Sequence, residues 1–380
     1  MSPSPDVGTG VRVSGDSRLK PKDMTMIKIS MRRLPALVAA VLAASVVAPA
    51  IAAEPGNSYS RTDLVSDEPG EAANLDANLI NGWGLAASAS GPWWVDAADS
   101  GKTVIYNAAG VPQPLVVDNP GSPTGIVFNG GADFPVSDGV NTAPARFLFA
   151  NEDGTISGWS PMLVPNTQAR VVVDNSGAEA SYRGLALAMP VGGARLYAAN
   201  FHMARVDVFD GTYTPVSAPG AFVDRRLPRG YAPFGIQNVN GMILVAYAKQ
   251  DAAGEDEVAG DGLGYVDAFD TDGMLVARVA SRGALNAPWG IALAPAGFGR
   301  FSGMLLVGNF GDGRINAYSM GPWQPKGHLK GVDGHAIAID GLWGIAFGNG
   351  GAAGPSNTLY FAAGPDDEEH GLFGQLQAMP

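Results

Sequence analysis

The sequence predicts an all-β chain folded as a six-bladed β-propeller. Three observations carry the prediction: a glycine-centred phrase recurs six times, an apolar strand and turn follow each copy, and the chain ends supply complementary parts of one blade. The phrase reads NGWGLAA at 81–87, SPTGIVF at 122–128, SYRGLAL at 181–187, YAPFGIQ at 231–237, NAPWGIA at 286–292 and DGLWGIA at 340–346. Its central glycines are Gly84, Gly125, Gly184, Gly235, Gly290 and Gly344. They are separated by 41, 59, 51, 55 and 54 residues, the size of one blade.

The glycine has a steric reason. Innermost strands crowd around a shared axis, where a side chain at the centre of the phrase would strike the next blade. Trp83, Phe234, Trp289 and Trp343 stand just before it and have two readings, apolar wedges between adjacent sheets or an aromatic ligand platform at the channel mouth. The second strand and turn come next, as in LYAANFHMARVDVFD at 196–210 and LLVGNFGDGRINAYS at 305–319. Val206 and Val208 there alternate with Asp207 and Phe209, the period of a half-buried strand. A further segment such as Leu275 to Val279, after the turn at 270–273, completes four strands per unit. No helical periodicity of useful length interrupts them.

The last copy supplies only three strands, at Gly344 to Phe347, Leu359 to Ala362 and Gly371 to Leu376. Residues Tyr59 to Val65 precede the first copy and are the expected donor of the missing outer strand. Pairing the termini in this way closes the ring and covers an exposed edge.

Ahead of this domain lies a stretch of another kind. Lys28, Arg32 and Arg33 precede a charge-free run from Leu34 to Ile51 that ends in Ala52 and Ala53. That order reads as a signal peptide cleaved near Ala52 or Ala53, and the run is short for a membrane span. Residues 1–53 are assigned to it, with translation starting at Met1 or at Met24, Met26 or Met31, and residues 54–380 form the propeller. The protein is then expected in the periplasm or outside the cell, with no membrane insertion of the mature chain.

The chain has 24 Lys and Arg against 36 Asp and Glu. The first 53 residues hold seven of the former and three of the latter, so the mature part carries 17 against 33, a formal charge of −16. Such a surface repels phosphate backbones and anionic headgroups, which argues against nucleic acid as a partner and leaves cations and cationic or neutral ligands. The absence of cysteine excludes disulfides, thiolate metal sites and thiol nucleophiles.

The closing region DGLWGIAFGNGGAAGPSNTLYFAAGPDDEEHGLFGQL at 340–376, with LINGWGLA at 79–86, FLFANEDGTISGW at 147–159 and the stretch 248–273, resembles an uncharacterised family of exported bacterial propeller proteins. GNFGDGRI and AANFHMARV are similar to the blade motif of NHL-type six-bladed propellers. The resemblance implies fold and export, and it transfers no catalytic residue.

Aligning the second strands across blades puts Asp96, Asn151, Asn200, Tyr247, Asn309 and Ala363 at one equivalent position. The oxygens of Asp96, Asn151, Asn200 and Asn309 are either calcium ligands converging near the axis or caps of their own turns. Calcium is therefore the one cofactor considered, and no nucleotide or haem is expected, since no phosphate-binding glycine loop or nucleophile elbow is present. Glu369 and His370, in the acidic turn 366–370, and His202, in the equivalent turn of another blade, are candidates for acid–base or metal chemistry, with a solvated loop as the plain alternative. The segment 251–261 reads as a mobile acidic insertion. Two functions follow: a non-catalytic binding or interaction scaffold for a small molecule, glycan or protein, or a calcium-dependent hydrolase or lactonase working at the axial channel mouth.

Overall fold

The computed structural model describes residues 56–216 and 218–379. Residues 1–53, the expected signal peptide, lie outside the described residues. The described strands form six blade sheets, built on antiparallel neighbours, together with a small two-stranded sheet, Pro135–Ser137 with Thr142–Pro144. Blades 1, 2, 4 and 5 have four main strands each, with inner strands Gly82–Ala87, Pro123–Phe128, Tyr231–Val239 and Pro288–Leu293. Blade 3 begins at Tyr182–Ala188 and blade 6 at Leu342–Phe347.

The recurring glycines mark where neighbouring inner strands touch. A Cβ at Gly84 would meet Thr124 O at 2.6 Å, one at Gly125 would meet Leu185 N at 2.5 Å, and one at Gly184 would meet Phe234 O at 3.0 Å. At Gly235 it would run into Trp289 O, and at Gly290 and Gly344 it would meet Trp343 O and Trp83 O, each at 2.7 Å. Blade 1 thus touches blade 2, and so on round to blade 6, which touches blade 1. The set of contacts closes on itself as a ring.

Closure of the chain follows the expected plan. Strand Tyr59–Ser66 pairs antiparallel with Leu372–Ala378, in register from Tyr59 opposite Ala378 to Ser66 opposite Leu372, with a bulge near Asp63. Tyr59, Leu64 and Val65 are buried, each in a core shared with blade 6. The core otherwise lies between blades, filled by groups such as Trp94, Phe147 and Trp159 between blades 1 and 2, and Tyr197, Phe222 and Phe269 between blades 3 and 4.

Blade 3 departs from the expectation of four strands. Its sheet has three, Tyr182–Ala188, Arg195–Asn200 and Arg205–Asp210, and the fourth is reduced to a bridge between Phe209 and Pro215. Proline has no N–H to give to a ladder, and Pro215, Pro219 and Pro228 punctuate this stretch. Among the described residues no helix is long and apolar enough to cross a membrane.

Candidate functional site

The four aromatic residues before the glycines are not wedges between sheets. Trp83 stacks on Trp343 with ring centroids 3.7 Å apart, Phe234 lies 5.4 Å from Trp343 and Trp289 lies 5.9 Å from it. Phe234 belongs to blade 4 and Trp343 to blade 6, so the contact skips a blade and must pass over the axis. With Phe201 and Phe310 these rings form a plug in the channel. Trp83, Phe234 and Trp343 are buried and offer no open platform; Trp289 and Phe310 are partly exposed.

Below the plug the channel is a blind well opening where the inner strands end. Two cavities of ≈ 300 and ≈ 340 Å³ there are lined by Leu85, Ile126, Leu187, Ile291, Phe347 and their neighbours, with Gln237, Asn238, Asn240 and Asn349 as polar groups and no charged side chain. The ionisable chemistry lies on the other side of the plug, at the face of the turns that end the second strands.

Two charged residues break the apolar ring there. Arg183 holds the place that Trp83, Phe234, Trp289 and Trp343 hold in other blades, and Glu152 follows Asn151 where Phe201 and Phe310 follow Asn200 and Asn309. The two substitutes pair: Arg183 Nη1 is 2.5 Å from Glu152 Oε1, and the Arg183 side chain is only 10% exposed. Its guanidinium lies over Trp83 and Phe201, at 5.6 and 5.8 Å from the ring centroids. Arg183 Nη2 donates to Glu255 O at 2.8 Å and lies 3.4 Å from Asp256 Oδ1.

This arginine tethers the blade 4 insertion, which the sequence reads as a mobile loop. The short strand Glu257–Val258 adds to the second strand of blade 4, and Gly260 N donates to Asn286 Oδ1 at 2.6 Å. The insertion thus brings Glu257 to the mouth. From blade 1, Asn81 Nδ2 donates to Asp99 Oδ1 at 3.2 Å and to Glu368 Oε1 of blade 6 at 3.3 Å, while Asn81 Oδ1 accepts from Trp343 Nε1. Asn81 therefore joins plug to rim.

Glu152 and Asp256 contact this guanidinium directly, Glu257 and Glu368 lie within its field, and Asp99 neighbours Glu152 and Glu368, so carboxyls from blades 1, 2, 4 and 6 gather around one buried arginine. Burial, and then repulsion by neighbouring carboxylates, pushes Glu257 and Glu368 up to about 7. Glu152 is also raised by burial, against the pull of Arg183. Two buried donors at this mouth, Trp83 Nε1 and Arg183 Nε, have no acceptor. The site is over-supplied with negative charge and retains unused hydrogen-bonding capacity.

No family model matches the chain. Two uncharacterised proteins of Acanthamoeba polyphaga mimivirus, R648 and L690, are each 33% identical to it over 329 and 333 residues. Each match covers 82% of this chain, with 78% and 84% of the viral proteins. The chain belongs to their family. These relatives are viral, so the bacterial character expected from the motifs has no counterpart among them. A protein of unknown function from Bacteroides thetaiotaomicron has a TM-score of 0.52 at 11% identity, over 85% of this chain and 73% of that one, a likeness of fold alone.

In this family member the four expected calcium ligands all make local hydrogen bonds, the three asparagines through their amide nitrogens. Asp96 Oδ1 accepts from Thr103 Oγ1 at 2.7 Å, Asn151 Nδ2 donates to Thr155 Oγ1 at 3.0 Å, and Asn200 Nδ2 donates to Asp207 Oδ2 at 2.7 Å. Asn309 Nδ2 donates to Ala284 O and Asp312 Oδ1. Asp96 and Asn151 are further joined through Thr103, Asn119 and Ser157 in a buried chain of hydrogen bonds across the boundary of blades 1 and 2. These side chains hold turns and neighbouring blades through those contacts, while Asp96 Oδ2, Asn151 Oδ1 and Asn309 Oδ1 are buried without a hydrogen-bond partner among the described residues. Asp96 is a buried carboxyl whose pKa is raised well above the ordinary range by desolvation.

Of the acid–base candidates, Glu369 is exposed and its neighbour Glu368 is the one at the mouth. His370 turns to Asp67 and Glu68, with Nδ1 3.0 Å from Asp67 Oδ2, a hydrogen bond that raises its pKa. His202 reaches the edge of the mouth through its backbone, where its carbonyl accepts from Gln250 Nε2 at 3.3 Å.

Proposed function

We propose that this protein is an exported binding propeller whose turn-face axial mouth takes up an organic cation of the di- or triamine type. One observation carries the reading: the carboxyl groups of Glu152, Asp256, Glu257, Glu368 and Asp99, from four blades, gather around a single buried guanidinium. Full ionisation leaves more negative charge in this cluster than Arg183 can balance. An amine would restore balance, its ammonium groups accepted by Glu257, Glu368 and Asp99, while its methylenes lie on the exposed parts of Trp289 and Phe310. Export rests on the basic and apolar run at 24–53, and an NHL-like blade origin on GNFGDGRI and AANFHMARV. Mass spectrometry of the protein from the culture medium or periplasm should find a mature chain starting at Ala53 or Glu54.

The raised carboxyls give the site a pH dependence whose sign is set. Glu257 and Glu368 bind protons more tightly in the folded protein than in the unfolded chain, where the ordinary value is 4.5. Their contribution to stability is full below about pH 4.5 and is lost as pH rises through about 7. The ligand-free melting temperature should therefore fall between about pH 5 and pH 8, and Glu368→Gln should flatten the fall. Cation binding runs the other way, because it needs ionised carboxylates.

Calorimetric titration with spermidine at low salt tests the assignment. Saturable binding is expected at about pH 8, weaker by at least about tenfold at pH 5.5 and in the Glu257→Gln/Glu368→Gln variant. Equal affinity in wild type and variant would place any binding on the general acidic surface and end the proposal. A hydrolase or lactonase reading draws on the same two carboxyls, whose values near 7 suit proton transfer. It requires turnover of a lactone that disappears in Glu368→Gln.

A further inference from the structure

At the rim of blade 6 a second cluster joins the closing strand to the turn before strand Leu372–Ala378. We infer that Glu68, Asp366 and His370 form a binding site for a divalent transition-metal ion, zinc by preference, which clips the N-terminal strand into the ring. Glu68 lies two residues beyond strand Tyr59–Ser66, and Asp366 and His370 lie in the turn between Leu359–Ala363 and Leu372–Ala378.

One ligand atom from each of the three residues lies within 4.8 Å of the other two, and His370 Nε2 is 3.5 Å from Glu68 Oε1. Zinc bonds of roughly 2.0–2.1 Å set neighbouring corners of a tetrahedron about 3.3–3.4 Å apart, so this pair already stands close to the spacing of two zinc ligands. The histidine is also oriented for the task. Its Nδ1 is held 3.0 Å from Asp67 Oδ2, and the other oxygen of that carboxylate accepts from Gly371 N at 2.8 Å. A carboxylate behind the far nitrogen is how metal-bound imidazoles are usually fixed, and it leaves Nε2 free to coordinate. One imidazole and two carboxylates suit zinc and its neighbours, whereas calcium prefers oxygen ligands alone. The fourth position stays open to water because Asp366 is exposed.

This cluster is separate from the axial mouth. Glu368 faces Asn81, while the His370 ring turns to Asp67 and Glu68. Its proposed role is mechanical: ligands from both ends of the chain tie a closure that no disulfide supports.

The test uses the purified protein without a histidine tag, treated with EDTA and titrated with zinc by calorimetry, with cobalt absorption as a second readout. One equivalent of zinc should bind and raise the melting temperature by mass action. His370→Gln and Glu68→Gln should each lose that equivalent and the cobalt band while melting like the metal-free parent. Asp67→Asn should weaken binding by about 10–100-fold, and His202→Gln should leave it unchanged. Zinc binding undiminished in both His370→Gln and Glu68→Gln would overturn the site, as would absence of binding to the parent. Equal stabilisation by calcium would overturn the choice of metal. If one of the two ligand variants fails to fold, the other decides.

Discussion

Gly235→Ala is expected to destabilise the fold by more than the roughly 1–3 kcal/mol typical of an overpacked core. The added methyl group would be driven into Trp289 O and its carbonyl carbon, which belong to the backbone of the next inner strand and cannot swing aside as a side chain can. Relief requires blades 4 and 5 to move apart, and in a closed ring that displacement is passed to every other blade boundary. A domain of this kind is stable by roughly 5–15 kcal/mol, so the loss is a large part of the total. Gly177→Ala is the matched control, because a Cβ there meets nothing within 4 Å. Denaturant midpoints should separate the two variants clearly. Equal midpoints would mean that the inner strands are not held at the observed spacing.

Deletion of residues 1–66 should abolish the cooperative fold. Strand Tyr59–Ser66 buries Tyr59, Leu64 and Val65, and at about 1.5–3 kcal/mol for each buried side chain these alone match the lower half of the stability expected for the domain. Its removal also frees the ladder groups of Leu372–Ala378, an edge open to pairing with another chain. The truncated protein should aggregate or melt without a sharp transition, and a peptide covering residues 56–68 should restore the transition when added in trans. A truncated chain that melts at the parent temperature would remove the closing role of this strand.

The ring was legible because its causes are local. Six glycines recur where backbones must touch, and strand counting at the chain ends revealed the shared blade. Direction was harder to read. The aromatics before the glycines occupy one position per blade, and sequence alone does not say whether that position faces a neighbouring sheet or the axis; the contact between Phe234 and Trp343 decides it. Asp96, Asn151, Asn200 and Asn309 make hydrogen bonds within their strands and turns, a structural reason for their recurrence that sequence alone does not separate from a ligand role.

The signal for the proposed site lay in the exceptions to the repeat. Arg183 stands where four copies have an aromatic residue, and Glu152 stands where two others have phenylalanine, so a search for departures from the pattern would have found both. Glu368 was beyond such a search. It lies in a turn where Asp366, Asp367 and Glu368 all adopt left-handed backbone, with φ of 54, 54 and 69°, and strand alternation does not say which of these side chains faces the axis. Glu257 was hidden for a different reason, since it is placed by strand pairing and tertiary contacts of the blade 4 insertion that its sequence does not announce.

The most direct test of the axial mouth is a carbon-13 titration of the glutamate side-chain carboxyls by nuclear magnetic resonance. Two resonances should titrate near pH 7, one of them should vanish in Glu368→Gln, and both midpoints should fall when spermidine is present. Titration of every glutamate near its ordinary value, unchanged by spermidine, would contradict a desolvated carboxylate site at the axis.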